Sequence, residues 1–268
     1  MGILNVTPDS FSDGGRYSTL DAAVARALQM IEDGAGIIDI GGESTRPGAA
    51  EVDAEEEIRR VVPVVAELAR RTSVPISVDT SKPEVIRAAL EAGAAIVNDV
   101  RALNEPGALE AVAASGAAVC LMHMQGQPRS MQLDPQYVDV VTEVCDFLRN
   151  RMRACIAAGI APERIILDPG IGFGKRLPHN LALLARLPEL NALGRPVLIG
   201  VSRKSMFRDL LNRPLEQRLA GGLAVATASA LAGAKILRVH DVPETADALK
   251  VAAALMAAGY NNGEQHGS

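Results

Sequence analysis

Eight short, mostly apolar runs recur along the chain, each separated from the next by a stretch long enough to hold a helix: Ile3–Val6, Ile37–Ile40, Ile76–Val78, Ile96–Val100, Val119–Met122, Ile165–Leu167, Val197–Val201 and Ile236–Val239. Runs of this length predict buried strands. The intervening segments carry helix signals. Leu20, Val24, Leu28 and Ile31 recur at helical spacing behind Ser18 and Asp21, which stand at capping-box spacing. Asp53 with Glu56 opens the next helix, and Pro83 stands where a first-turn proline is tolerated. Pro63 falls inside the second helical pattern and predicts a kink or a split. A last helix is predicted over Glu244 to Ala258.

A junction repeats between these segments. Helix-like sequence runs into Gly-Ala and then a β-branched run at Gly34-Ala35, Gly93-Ala94, Gly116-Ala117 and Gly233-Ala234. Glycine suits the left-handed residue that ends a helix, and the run after it suits a buried strand. Alternating β and α units of this number predict a closed α/β fold, a (β/α)8 TIM barrel. An open doubly wound sheet is the structural alternative. The barrel is expected as a single domain over residues 1–259, with the polar residues 260–268 as a disordered tail.

Composition narrows the core and the partners. With no tryptophan and 3% aromatic residues against 48% hydrophobic residues, the core has to be built from Ala, Val, Ile and Leu. Such residues suit parallel strands covered by helices on both faces. A net charge of −5 excludes a general nucleic-acid binder, so any important cations must act locally. Cys120, Cys145 and Cys155 have no CxxC spacing and read as buried thiols in a reducing compartment. The longest uncharged stretch, Leu219 to Ala234, is short for a membrane span and rich in small residues, as a packed barrel helix would be. Met1 to Pro8 carry no signal-peptide pattern. The expectation is a soluble, cytoplasmic protein without nucleic-acid or membrane partners.

The chemistry lies where the apolar runs end. In a barrel the active site sits at the carboxyl ends of the strands. The runs here end on Asn5, on Asp39 with Glu43, on Asp79, on Asn98-Asp99, on His123, on Asp168, on Ser202-Arg203-Lys204, and on Arg238 with His240. Ionisable groups collected at one end of a barrel must be paired, solvated or used. Arg203, Lys204, Arg238 and His240 offer donors to an anion, and Arg46 could join them. Asn5 is a neutral oxygen ligand that could reach a Mg²⁺ bound mainly by phosphate oxygens. Asp79, Asn98 and Asp168 match the donor edge of a flat, nitrogen-rich heterocycle. Two Gly-rich loops, Pro8 to Gly15 and Gly41 to Ala50, are of a kind that folds over a ligand. Gly170 to Lys175 resembles a phosphate loop in composition but lacks its GKS/T. At single positions plainer roles compete. His123 reads as a core histidine with a backbone partner, and Asp39 and Glu43 as orienters of Arg46 or another base. Lys175 reads as a solvated loop residue, and Met122 and Val100 as pocket walls.

Over nearly its whole length the sequence resembles the dihydropteroate synthase family. The matching stretches are GILNVTPDSFSDGG from Gly2, GGESTRPGA from Gly41, ISVDTSKPEV from Ile76, IVNDV from Ile96, LMHMQG from Leu121, LDPGIGFGK from Leu167, SRKS from Ser202 and RVHDV from Arg238. The resemblance implies a transferase of folate biosynthesis: (7,8-dihydropterin-6-yl)methyl diphosphate and 4-aminobenzoate give dihydropteroate and diphosphate. Carried over residue by residue, Asp79, Asn98, Asp168 and Lys204 would bind the pterin. Asn5 with Mg²⁺, and Thr45, Arg238 and His240, would hold the diphosphate. Arg46, Pro47, Phe173 and Ser202 would line the aminobenzoate pocket. Asn5, Lys204, Arg238 and His240 would carry the catalysis, with Asn5 toward the metal. The resemblance further implies a homodimer and competition by sulfonamides. Family members usually have a segment before the first strand, where this chain begins on the strand itself. The rival readings are a methyltetrahydrofolate-binding methyltransferase domain and a pterin-binding barrel without turnover.

Overall fold

The computed structural model describes residues 1–7, 16–43, 52–126 and 131–259. Eight strands appear, β1 (Gly2–Asn5), β2 (Ile38–Gly41), β3 (Ile76–Asp79), β4 (Ile96–Asp99), β5 (Ala118–Met122), β6 (Ile165–Asp168), β7 (Leu198–Ile199) and β8 (Ile236–Leu237). The helices between and after them are α1 (Arg16–Glu32), α2 (Ala54–Arg71), α3 (Pro83–Glu91), α4 (Ala108–Ser115), α5 (Val140–Ala157), α6 (Leu177–Ala185), α7 (Leu187–Asn191), α8 (Met206–Leu211), α9 (Leu219–Leu231) and α10 (Val242–Ala257). β1 to β6 pair in sequence order, all parallel, and β7 pairs with β8. Single parallel bridges join Leu167 to Val197 and Gly2 to Val239, so backbone bonding passes from β6 toward β7 and from β8 back to β1. Ile3 N donates to Val239 O at 2.9 Å and Val239 N to Met1 O at 2.9 Å. The expected barrel is present.

The four Gly-Ala junctions behave as the pattern requires. Gly34, Gly93, Gly116 and Gly233 have φ of 105°, 111°, 74° and 101°, a left-handed conformation that glycine adopts without the Cβ penalty. Asp53 caps α2 by accepting from Glu56 N at 2.7 Å, and Pro83 takes the first turn of α3. Three local expectations change. α1 begins at Arg16, so Ser18 lies within the helix instead of at its start. α10 begins at Val242, ahead of Glu244. Pro63 does not split α2, which is one helix; the proline is on its exposed side, where water can serve the carbonyl left without a donor.

Two apolar layers place the site. Leu, Val, Ile and Ala side chains of the helices pack on the outer faces of the strands. A second cluster holds Ile96, Cys120, Ile166 and Leu198 with Met1, Ile37, Ala118 and Ile236. Side chains two residues apart on a strand share a face. Asp39 follows Ile37 by two, Asn98 follows Ile96, Asp168 follows Ile166 and Arg238 follows Ile236. The polar ring therefore stands directly above the apolar plug that fills the barrel.

Candidate active site

Arg238 organises the mouth. Its Nε lies 2.6 Å from Asp39 Oδ2 and its Nη2 lies 2.6 Å from Asp79 Oδ2. Asn98 Nδ2 donates to the same Asp39 oxygen at 3.0 Å. Strand register explains the meeting: Asn5, Gly41 and Asp79 are partners across β1, β2 and β3, and Asp79 pairs with Asn98 on β4. Gly41 has no side chain at this row, and a Cβ there would lie 3.6 Å from Asp79 Cβ and 3.8 Å from Asn5 Oδ1. Burial pushes the Asp79 carboxyl up to about 7; Arg238 opposes the rise and Asp39 adds to it. Burial alone would lower Arg238, but Asp39 and Asp79 outweigh it and hold the guanidinium charged.

On the opposite side Asp168 and Lys204 face one another across the loop after β6. Asp168 Oδ1 accepts from Gly170 N at 2.7 Å. Lys204 Nζ donates to the Ile171 carbonyl and sits 4.7 Å from the centroid of the Phe173 ring. Burial raises the Asp168 pKa against the pull of Lys204, and burial holds Lys204 down to about 8 against the pull of Asp168. His240 is placed by Ser202, whose Oγ lies 3.2 Å from His240 N and 3.1 Å from His240 Nδ1. Met122 and Val100 line a cavity of about 210 Å³ with Met124 and Phe147, and none of the polar ring residues lies on its wall.

The structure brings together Asn5, Asp79, Asn98, Asp168, Lys204, Arg238, His240, Ser202 and Phe173 at one end of the barrel. Thr45, Arg46 and Pro47 lie outside the described residues, as do Pro8 to Gly15 and Ser44 to Ala50 of the two glycine-rich loops. Three members of the sequence-derived set, Asp99, Arg203 and Lys175, take places other than those expected, whereas Glu43 orients a base, Lys82, as its reading allowed. Asp99 accepts from Arg101 N at 2.8 Å and Leu103 N at 2.7 Å, fixing the turn after β4. Glu43 pairs with Lys82, which also binds the buried Glu57 at 2.5 Å. Arg203 points outward and pairs with Asp241 at 2.5 Å. Lys175 is not a solvated residue. It is 2% exposed, and its Nζ lies 2.8 Å from His123 Nδ1. His123 is buried as expected, but its side-chain partner is this lysine. Asp39 orients Arg238, the alternative base, with Arg46 outside the described residues.

The loop Gly170–Lys175 is not a phosphate cradle. Gly170 N serves Asp168, Gly172 N serves Asn180 Oδ1 at 2.8 Å, and Phe173 N serves Gly170 O at 3.0 Å. Those amides have no donor left for an anion. The three cysteines are buried and free. Among the described residues no cluster of His, Cys, Asp and Glu could hold a metal by itself, and no helix is long and apolar enough to cross a membrane.

Comparisons with known proteins agree with this geometry. The sequence pattern described as pterin binding enzyme matches residues 1–240. The dihydropteroate synthase of Escherichia coli K12 is 58% identical over 261 residues, which cover 97% of this chain and 93% of the relative. The crystal structure of the Yersinia pestis enzyme with a sulfonamide drug superposes with a TM-score of 0.91 at 56% identity, covering 96% of this chain and 94% of that one. The Xanthomonas albilineans enzyme in complex with 7,8-dihydropteroate superposes with a TM-score of 0.87 at 52% identity, covering 96% and 93%. With a ring of strand-end residues matching the family motifs and identity sustained over almost the full length, the chain belongs to the pterin-binding enzymes and, among them, to the dihydropteroate synthases.

Proposed function

We propose that the chain condenses (7,8-dihydropterin-6-yl)methyl diphosphate with 4-aminobenzoate and that the two sides of the ring divide the work. Asp79, Asn98, Asp168 and Lys204 bind the pterin, and Arg238, His240 and Thr45 hold the diphosphate. Arg46, Pro47, Phe173 and Ser202 take the aminobenzoate. The observation that carries this reading is the Arg238 fork. One cation is fastened by Asp39 and Asp79 beside the heterocycle's carboxylates, with no bond to Nη1 among the described residues. A guanidinium held in this way stands ready for a charge that develops nearby.

The C–O bond between the pterin methylene and the diphosphate breaks first in this scheme, and its electron pair leaves with the diphosphate. Arg238 and His240 stabilise that anion more in the transition state than in the ground state. The electron-rich pterin, oriented by its carboxylates, spreads the positive charge left on the methylene. The neutral arylamine then attacks the methylene, and its surplus proton passes to solvent. No protein nucleophile is required.

Asn5 fits a Mg²⁺ that takes most of its ligands from diphosphate and water, since it is a partly exposed neutral oxygen donor with no carboxylate cage around it among the described residues. When bound there, Mg²⁺ would neutralise charge on the leaving group. The active form is a homodimer of single-domain chains spanning residues 1–259, working in the cytoplasm where buried thiols stay reduced. Sulfonamides compete for the aminobenzoate pocket.

The test is diphosphate release on incubation with the pterin diphosphate, aminobenzoate and Mg²⁺. Release that requires all three is the expected result. Folded protein that binds the pterin and releases nothing would instead be a binding protein.

A further inference from the structure

The loop between β6 and α6 is held at every carbonyl from Gly170 to Gly174. Gly170 O accepts from Phe173 N at 3.0 Å, Ile171 O from Lys204 Nζ, and Gly172 O from Gln132 Nε2 at 2.6 Å. Phe173 O accepts from Lys175 Nζ at 3.0 Å, and Gly174 O from Tyr137 OH at 2.7 Å. The loop also lies flat on the end of β5. Gly170 has φ 66°, and a Cβ there would come within 1.9 Å of His123 O. Such complete bonding makes the loop a rigid platform, and its one aromatic side chain is Phe173.

We propose that Lys175 is a positioning residue that sets the Phe173 end of this platform and thereby shapes the aminobenzoate pocket. The inference rests on the reading of Phe173 as a wall of that pocket. Lys175 Nζ reaches Phe173 O at 3.0 Å, His123 O at 3.3 Å and His123 Nδ1 at 2.8 Å. Three donors of one ammonium thus meet three acceptors, which joins the loop to the end of β5. When Lys175 is an ammonium it has only donors, and His123 then accepts at Nδ1 and carries its own proton on Nε2.

No carboxylate lies within ion-pair distance of this ammonium among the described residues. Lys175 is nonetheless almost wholly buried. An ion pair with a surface acid would have been an easier way to hold a lysine, and burial without one is costly. Burial lowers its pKa to about 7, with Asp168 raising it and Lys204 lowering it further. Burial and Lys175 together hold His123 down to about 3, so the ring stays neutral. A costly group retained in this place points to a geometric task. The opposite end of the platform has its own anchors, since Asp168 holds Gly170 and Lys204 holds Ile171. Releasing Lys175 therefore frees the Phe173 end and leaves the pterin-side contacts in place.

Steady-state kinetics of Lys175→Met and Lys175→Gln test this, each substrate varied with the other saturating. The methionine variant keeps the length of the stem and removes the donors. Its KM for aminobenzoate should rise about tenfold, with the KM for the pterin diphosphate changed less than threefold. Lys175→Gln retains a donor for one carbonyl, should show a smaller rise, and supplies the reading if the methionine variant does not fold. Equal rises in both KM values, or none in either, would overturn the proposal. Phe173→Ala separates the two layers of the argument. If it leaves the aminobenzoate KM unchanged, the reading of Phe173 fails. If it raises that KM and the Lys175 variants do not, only the role of Lys175 fails.

Discussion

Arg238 and Asp168 hold the two sides of the mouth, so their removal should have different consequences. Asp168→Ala takes away a buried carboxylate facing the pterin and releases Gly170 N. Binding of the pterin diphosphate should be lost in calorimetric titration. Arg238→Ala should still bind pterin but lose roughly a hundredfold to a thousandfold in kcat, the usual scale for a donor that stabilises a developing anion. Normal product formation by both variants would sink the site assignment. Asp79 adds a pH dependence. Burial holds its folded pKa at about 7, above the ordinary carboxylate value of about 4, so between these values the folded protein binds the proton more tightly than the unfolded chain. The stability it contributes is full below about pH 4 and is lost as pH rises through about 7. Asp79→Asn should flatten that decline in urea midpoints measured from pH 4 to 7. These residues were legible as a polar set at the ends of apolar runs. Their pairing was not, because Asp39 meets Arg238 across 199 positions of sequence.

Among the elements, α2 shows how position in space changes the meaning of a residue. Its sequence predicts a kink or a split at Pro63, and the structure excludes the split, since one helix runs from Ala54 to Arg71. Val61, Val64, Val65 and Leu68 are buried on one side, and Pro63 is exposed on another. Packing of the apolar stripe outweighs one missing hydrogen bond whose carbonyl faces water. Pro63→Ala should therefore restore that bond and raise stability by about 2 kcal/mol, after allowing for the greater freedom of the unfolded chain. Urea denaturation reads it, and no gain would mean the proline fits its site without strain. The loop after β6 is the reverse case. GIGFGK has the glycines of a phosphate loop without its GKS/T, and the structure gives them a different use: Gly170 lies against the end of β5, while the amides of Gly170, Gly172 and Phe173 bond within the protein.

At the scale of the whole molecule, α9 and α10 pack against each other and turn an apolar face outward. Leu219 on α9 and Val251, Leu255 and Met256 on α10 are 38%, 61%, 47% and 45% exposed. An apolar face of this kind on a barrel's outer layer suits a second copy of the chain. Leu255→Glu should shift the protein from dimer to monomer in light scattering, with the barrel still folded. A wild-type protein that is monomeric at assay concentration would remove this reading.

The barrel itself was readable from one dimension, because alternation of apolar run, glycine stop and amphipathic helix is a local property. So was the identity of the polar ring, since a strand end is marked by where its apolar run stops. Three-dimensional packing alone assigned partners within that ring. It drew Glu43 and Arg203 into ion pairs with Lys82 and Asp241, and it buried Lys175 between His123 and the Phe173 carbonyl. Hydrogen bonds and charge pairs form across the barrel between residues far apart in the chain, and their geometry exists only once the eight strands have closed.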